Sequence, residues 1–263
     1  MPGAANHNTV GYTRDDAVAI VTLNRPDAMN GFDTELRSEL LAALTHAGND
    51  AEVRVVILTG AGRCFSAGAD LKAGFPSGQQ VQQQLDEEYG PCLTAIADMP
   101  KPVISAVNGF AAGIGLSFAL VADLVVMGES AFLLSPFSNI GLVPDGGATW
   151  LLPRLIGYQR AYQLCIENER IVAPRCLELG LANRVVPDDQ LLSATVTWAH
   201  ALARRAPLAL ARTKQAMRRA SEVTYLEALK LEAELQKASV ESADCKEGVA
   251  AFLEKRKPRF TGS

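Results

Sequence analysis

Two glycine-rich turns, each between a predicted strand and a predicted helix, contain the residues best suited to chemistry. The first turn is residues 63–71 and follows the apolar run 55–58; the second is residues 108–115 and follows the apolar run 103–107. The backbone N–H groups at the start of a helix lack intrahelical acceptors. Two such donors, one from each turn, would form an oxyanion hole. The sequence therefore predicts a site that holds negative charge on a carbonyl oxygen, as in an enolate.

No familiar nucleophile or phosphate-binding motif accompanies these turns. Ser66 is followed by Gly68 but preceded at the required spacing by Cys64, so the Gly-x-Ser-x-Gly elbow is incomplete. The second turn has two glycines of a dinucleotide fingerprint, but Phe118 occupies the third glycine position. Neither segment contains a histidine, which argues against a Ser/His or Cys/His pair. The chemistry must come from backbone donors and a carboxylate.

The best candidate for that carboxylate is Asp145, which lies between a proline and two glycines. An aspartate at this kind of position is typical of a helix N-cap, and spacing alone favours that interpretation. Asp70, near a helix start, and Asp123, at a helix-to-strand junction, are also predicted to be structural. Cys64 is predicted to be a packing residue.

Composition excludes several functional classes. The 263-residue chain has a net charge of −4, which argues against general nucleic-acid binding. Its five cysteines are scattered and odd in number, which favours reduced thiols and a cytoplasmic location. The three histidines are also scattered, and we predict no metal site. Residues 102–122 carry no charge, but an Asn-Gly turn signal in the middle predicts a strand, a turn and a buried helix instead of a membrane span.

The strands and helices that position the turns alternate along most of the chain, which predicts an α/β fold with a largely parallel sheet. The predicted strands are residues 17–23, 53–59, 103–107, 124–127 and 184–186. Asp33 is predicted to cap a helix, and another helix is predicted over residues 81–97. After residue 187 only helical patterns remain, over residues 190–203, 207–220 and 225–238 and in a last segment. We divide the chain into an α/β core at 1–187 and a C-terminal helical region at 188–263.

Taken in order, several segments resemble the crotonase (enoyl-CoA hydratase/isomerase) superfamily. They are residues 23–30, 65–71, 101–109, 141–144 and 252–256. The resemblance covers nearly the whole chain. It implies a spiral of ββα units with a C-terminal helical trimerisation region, assembled as a homotrimer or a dimer of trimers. It also implies an acyl-CoA thioester substrate, whose coenzyme A is part of the substrate, with no separate cofactor.

The resemblance assigns roles to individual residues. The oxyanion donors would be the backbone N–H groups of Ala69 and Ile114. Lys255, part of a C-terminal basic cluster, would bind coenzyme A phosphates of a neighbouring subunit. Phe252 would pack near the thioester, also across a subunit contact. The other predicted substrate-binding residues are Arg25, Asp27, Ala28, Met29, Ala67, Gly68, Asp70, Leu71, Gly113, Phe137 and Trp150.

The predicted reaction depends on which carboxylates are present. Hydratases of the superfamily use two glutamates, and the matching positions here are Ser117 and Phe137. Asp145 instead resembles the working aspartate of enoyl-CoA isomerases of the phenylacetate type. One base suffices to move a double bond, and we expect an apolar wall of Phe137, Val143 and Trp150 to raise the pKa of Asp145.

Three other interpretations remain open at this stage. One is a hydratase that uses Asp145 or Glu88 as a non-standard acid/base. Another is a non-catalytic acyl-CoA-binding homologue, because both hydratase glutamates are missing. The third is an aryl-CoA dehalogenase with Asp145 as its nucleophile.

Overall fold

The computed structural model describes residues 8–74 and 76–263, which fold as a mixed α/β chain. Its strands are β1 Val10–Asp15, β2 Val18–Leu23, β3 Val55–Gly60, β4 Val103–Val107, β5 Phe110–Ala112, β6 Leu124–Gly128, β7 Phe132–Leu134, β8 Ile171–Val172 and β9 Arg184–Val186. Its α-helices are α1 Thr34–Asn49, α2 Gly78–Gln84, α3 Gly90–Asp98, α4 Ile114–Leu120, α5 Ala148–Ile156, α6 Tyr158–Glu167, α7 Ala173–Leu179, α8 Leu191–Ala203, α9 Pro207–Ala220, α10 Tyr225–Val240 and α11 Ala243–Leu253.

Six strands form the larger sheet, in the order β1-β2-β3-β4-β6-β9. The β1–β2 pair is antiparallel, and every other pair in this sheet is parallel. The central strands β3 and β4 are almost entirely apolar and buried. This pattern is expected when both faces of a parallel sheet are covered.

A smaller sheet, with the order β5-β7-β8, runs beside the larger one. The chain visits the two sheets in turn: β4 is followed by β5 and α4, and β6 is followed by β7. The same alternation begins earlier, because Ser66, shortly after β3, forms a parallel bridge to Ala111 of β5. Each repeat is therefore a pair of strands, one in each sheet, followed by a helix.

The core has a layer on each face of the larger sheet. On one face, α1 and α3 pack through residues such as Leu36, Leu40 and Ile96. On the other face, α8 covers the sheet with Leu191, Ala199 and Ala203. Thus α8, which sequence analysis placed in the C-terminal region, packs on the sheet, whereas α9, α10 and α11 follow it outside this layer. The division at residue 187 stays a prediction.

All five predicted strands are present, with ends within two residues of those predicted. The antiparallel edge strand β1 was not predicted. The strands of the smaller sheet were also not predicted, because two or three residues carry too little periodicity. The cap at Asp33 is confirmed: its side chain accepts a hydrogen bond from the Leu36 N–H at 2.8 Å.

The helix predicted over residues 81–97 is instead three consecutive segments. Between α2 and α3 lies one turn of π-helix, Leu85–Tyr89. Such turns change which side chains face inward and are frequent at functional sites. Here the turn leaves Tyr89 buried and Glu88 partly exposed.

The uncharged stretch 102–122 is confirmed as the strand β4, a turn, the strand β5 and the seven-residue helix α4. Within residues 8–74 and 76–263, no helix has the length and apolar character needed to cross a membrane.

Candidate functional site

The two glycine-rich turns lie against each other. The Ala112 N–H donates to the Ser66 carbonyl at 2.9 Å, which ties the first turn to the strand that enters the second. Gly68 has a φ of +94°, and a Cβ added there would lie 2.9 Å from the Ala112 carbonyl oxygen and 3.5 Å from the Ile114 nitrogen. The close approach of the two backbones therefore requires glycine at this position.

The structure brings the two predicted donors, Ala69 and Ile114, to this junction. Ala69 is exposed, whereas the Ile114 side chain is 2% exposed at the start of α4. Within the described part of the chain, neither backbone N–H donates to another residue, although the flanking Gly68 and Asp70 N–H groups do. Two adjacent free donors at a surface opening are the arrangement that an oxyanion requires.

Asn30 holds the first turn in place. Its side chain is fully buried and donates to the carbonyls of Ala61 and Cys64 at 2.9 and 2.8 Å. Its own carbonyl accepts from the Ser66 hydroxyl at 2.8 Å, and that hydroxyl in turn accepts from the Gly68 N–H at 3.1 Å. These bonds fix the backbone immediately before Ala69.

Asp145 lies beside α4, the helix that begins at Ile114. Its carbonyl accepts a hydrogen bond from the Ser117 hydroxyl at 2.8 Å. A Cβ added at the next residue, Gly146, would lie only 2.8 Å from both the Ile114 Cγ1 and the Ser117 Cβ. The loop that carries Asp145 is therefore packed within one helical turn of an oxyanion donor.

The helix-cap interpretation of Asp145 is wrong. The N-cap of α5 is Gly147, and no side chain makes a cap hydrogen bond there. The Asp145 main-chain carbonyl, not its carboxylate, accepts from the Ala148 N–H at 3.1 Å. The carboxylate is consequently free of this structural task.

Burial is the dominant influence on the Asp145 carboxyl and raises its pKa to about 6, although a bond to its own backbone N–H opposes this shift. Its Oδ1 atom is buried and has no hydrogen-bond partner among the described residues. A carboxyl group with a pKa near neutrality is well matched to accepting and returning a proton.

The apolar surroundings of Asp145 differ in part from those expected. Phe137 is 7% exposed, and its ring approaches Gly113 at the oxyanion junction. Val143 is 79% exposed and does not shield the carboxylate as predicted. Trp150 lies under the Arg154 guanidinium, 3.9 Å from ring centroid to Cζ, and lines a cavity with residues of α9. The loop next to the carboxylate instead packs against Ile114 and Ser117 through Gly146.

Several predicted coenzyme A contacts form one patch beside the first turn. Arg25 forms ion pairs with Asp33 at 2.9 Å and Asp70 at 3.0 Å. The Ala67 N–H donates to the Met29 carbonyl at 2.9 Å. Of the other predicted contacts, Asp27 and Ala28 lie in the short helical turn Pro26–Ala28, and Leu71 is half exposed after Asp70.

Phe252 and Lys255 lie at the end of α11, outside the oxyanion site of the same chain. Phe252 is 82% exposed and lines a groove of about 990 Å³ formed by α9, α10 and α11. None of the residues that line this groove belongs to the two turns. Within the basic cluster, Arg256 is paired with Glu247 and Glu254 at 2.6 Å, which leaves Lys255 exposed at its side.

Sequence analysis missed a buried polar pair near the site, Arg37 and Tyr89. Arg37 is 5% exposed and forms an ion pair with Glu88 at 2.7 Å. It also donates to the Tyr89 hydroxyl at 3.2 Å and to the Phe32 carbonyl at 3.1 Å. The available signal was an arginine next to Leu36 on the apolar face of α1, where a charge needs partners.

Comparisons with known proteins give one consistent result. The family model described as enoyl-CoA hydratase/isomerase matches residues 13–263. A probable enoyl-CoA hydratase of Rhodobacter capsulatus is 42% identical over 98% of this chain and 99% of its own length. The 1,2-epoxyphenylacetyl-CoA isomerase of Escherichia coli is 40% identical, over 94% of this chain and 96% of that protein. The crystal structure of an enoyl-CoA hydratase from Bacillus anthracis superimposes with a TM-score of 0.93 at 34% identity, covering 97% and 100% of the two chains.

Proposed function

This chain belongs to the enoyl-CoA hydratase/isomerase family, the crotonase superfamily, and on that premise we propose that it moves the double bond of an enoyl-CoA thioester with Asp145 as the proton shuttle. Its enzymatic class is that of its relatives, enoyl-CoA hydratases and isomerases. The proposal concerns which of the two reactions it performs and which group performs it.

In the proposed reaction, the thioester carbonyl oxygen accepts hydrogen bonds from the Ala69 and Ile114 N–H groups. The Asp145 carboxylate removes a proton from the α carbon of a 3-enoyl thioester, and the electron pair spreads over the dienolate to the thioester oxygen. The two N–H groups stabilise that negative charge. Asp145, now a carboxylic acid, returns the same proton to the γ carbon, so that the double bond becomes conjugated with the thioester.

The main support for this proposal is the burial and the raised pKa of the Asp145 carboxyl group. It is largely buried, makes no cap, and has a pKa of about 6. Ser117, at one position matched to a hydratase glutamate, donates to the Asp145 carbonyl and so anchors the loop that presents this carboxylate. Isomerisation needs one group that both takes and gives a proton, and Asp145 meets that requirement.

The first prediction is that Asp145→Asn loses isomerase activity on a 3-enoyl-CoA by roughly 10²–10⁴-fold in kcat, because the amide cannot accept the proton. Conversion to the conjugated thioester is followed by its absorbance. Asp189→Asn, at an exposed carboxylate distant in the fold, is the matched control and keeps wild-type activity. Near wild-type turnover by Asp145→Asn would contradict the proposal.

Hydration by a non-standard acid/base is the second candidate, favoured by relatives named as hydratases. Glu88, the other acid considered for this role, is held by Arg37 at 2.7 Å, so it is not free to activate water. Crotonyl-CoA hydration by the wild type that disappears in Asp145→Asn would favour this candidate over isomerisation. The membership of the enzyme family makes a purely binding role the weaker alternative.

We also propose that the chain assembles as a trimer or a dimer of trimers through its C-terminal helices. Large apolar side chains are exposed along α9, α10 and α11, more than an isolated chain normally shows. They are Met217, Tyr225, Leu226, Leu229, Val249, Phe252 and Leu253. In such an assembly Phe252 and Lys255 would reach the acyl-CoA site of a neighbouring chain.

A further inference from the structure

The buried pair Arg37 and Tyr89 lies outside the two glycine-rich turns. Tyr89 is 4% exposed at the end of the π-helical turn. Its ring packs edge-on against Phe32, 5.8 Å between centroids, and against Phe118, 6.5 Å. These two neighbours stack on each other at 4.6 Å. The ring is thus locked in an aromatic cluster.

That cluster connects Tyr89 to both oxyanion turns. The Phe32 N–H donates to the Gly68 carbonyl at 2.8 Å, and the Phe32 carbonyl accepts from the Asp70 N–H at 3.1 Å, one on each side of Ala69. Phe118 follows Ser117 on α4, and Ser117 anchors the Asp145 loop. Tyr89 therefore packs against Phe32, which is bonded to the first turn, and against Phe118 of α4, the helix that holds the Asp145 loop.

The Tyr89 hydroxyl accepts one hydrogen bond but donates none among the described residues. The oxygen accepts from Arg37 Nη1 at 3.2 Å, so the hydroxyl proton remains to be donated. Within residues 8–74 and 76–263, no acceptor receives it. Asp145 Oδ1 is the complementary case, a buried acceptor without a donor among the same residues. A buried donor and a buried acceptor that lack partners each carry a cost, which pairing them would remove.

Three charged groups influence the Tyr89 phenol. They are Arg37 of α1, Glu88 of the π-helical turn, and Asp145. Burial raises the pKa of Tyr89, Arg37 lowers it, and the negative charge of Asp145 raises it further. The remaining titratable neighbour, Cys92, donates to the Arg37 carbonyl, and burial raises its pKa to about 12, so it stays neutral.

We propose that Tyr89 is a positioning residue for Asp145: its O–H, oriented by Arg37, donates toward one oxygen of the carboxylate and leaves the other to face the substrate. The inference rests on the proposed function of Asp145. The two groups are not directly bonded in the structure, so the contact forms by a turn of the carboxylate or through one bridging water. Such a donor favours the charged form of Asp145, so its removal raises the pKa of this carboxyl group.

The test is Tyr89→Phe, which removes the hydroxyl and keeps the ring between Phe32 and Phe118. The expected result is an acidic limb of the kcat/KM profile that moves up by about one pH unit, because the carboxylate loses its donor. At neutral pH we expect kcat to fall roughly tenfold while KM stays within about twofold, as for a group that acts through the base. The substrate is a 3-enoyl-CoA, and thermal unfolding is measured in parallel.

Tyr12→Phe is the matched control. The Tyr12 hydroxyl is also buried without a partner among the described residues, but its ring packs on His46, 5.0 Å between centroids, away from the site. We expect its pH profile to equal that of the wild type. A Tyr89→Phe profile that also matches the wild type at every pH would overturn the inference. Asp145→Asn in the same assay separates the two proposals: if it stays active, the proposed function fails, whatever Tyr89→Phe does.

Discussion

At the scale of single residues, the proposed activity depends on the ionisation of one carboxyl group. Burial, without a compensating donor on Oδ1 among the described residues, raises the pKa of Asp145 to about 6. In the proposed reaction, Asp145 is a base whose conjugate acid still gives its proton back at neutral pH.

The second prediction concerns the pH dependence of the wild type. Asp145 acts when deprotonated, so kcat/KM is expected to fall below pH about 6 by about tenfold per pH unit and to level off above it. The measurement is the initial rate on a 3-enoyl-CoA from pH 4.5 to 8, in the range where the enzyme stays folded. A profile that is flat from pH 5 to pH 8 would contradict the assignment.

The third prediction is a stability gain when this carboxylate is removed. The folded-state pKa lies above the unfolded value of 3.8, so the folded chain binds more protons between these values and loses stability as pH rises from about 4 to 6. Asp145→Asn is therefore expected to unfold with a free energy about 1–3 kcal/mol higher than the wild type at pH 8. Chemical denaturation at pH 8 and at pH 4 measures this difference. An equal difference at both pH values would mean that the ionisation of Asp145 does not cause it.

At the scale of elements, the proposed catalysis depends on two turns held at a fixed separation. Gly68 is the contact point, because its backbone lies too close to Ala112 for a side chain. The hydrogen bonds of Asn30 hold the first turn, and β5 carries the second. The donors belong to the backbone, so their positions can be changed only by moving these elements.

The fourth prediction tests that dependence with Gly68→Ala. The added Cβ would lie 2.9 Å from the Ala112 carbonyl oxygen at a φ of +94°, so the turn must shift. We expect a loss of roughly 10²-fold in kcat, as for loss of one oxyanion donor, and about 1–3 kcal/mol in unfolding free energy. Gly180→Ala is the control, because its φ of +78° carries a similar backbone cost and nothing lies within 4 Å. Equal losses of kcat in the two variants would refute the role of the turn separation.

The elements were largely predictable from the sequence, but their contacts were not. Long apolar strands and capped helices such as α1 carry strong local patterns. The cap interpretation of Asp145 failed because Gly147 takes that position, and glycine gives no side-chain signal. The Arg37–Tyr89 contact joins residues 52 apart in sequence and depends on the π-helical turn, which no periodicity predicts. Val143 was misplaced for a similar reason: its exposure depends on the path of the loop.

At the scale of the whole molecule, the site of one chain is expected to be completed by another. The predicted coenzyme A contacts Arg25 and Asp70 lie beside the first turn, whereas Phe252 and Lys255 lie at the C-terminal end of α11 and just after it. The exposed apolar surface of α9, α10 and α11 is the part that we expect to be covered by neighbouring chains.

The fifth prediction is that Phe252→Ser raises KM for the acyl-CoA about tenfold, because an apolar contact with the substrate is lost. Phe252 is 82% exposed in the single chain, so we expect Phe252→Ser to change the unfolding free energy of that chain only slightly. Val172→Ser, at another half-exposed apolar residue, is the control for surface effects. Sedimentation of the wild type gives the assembly, expected at three or six times the chain mass of 28.0 kDa. A monomer with an unchanged KM in Phe252→Ser would contradict a shared site.

The central claim is that one carboxylate carries a proton from the α carbon to the γ carbon. A 3-enoyl-CoA deuterated at the α carbon, turned over once in ordinary water by excess enzyme, tests it directly, with the label located by mass spectrometry or NMR. The account predicts deuterium at the γ carbon of the product, because the buried Asp145 carboxyl returns what it removed before exchanging with solvent. Product formed without any deuterium at the γ carbon, at the same rate in the wild type and in Asp145→Asn, would contradict it.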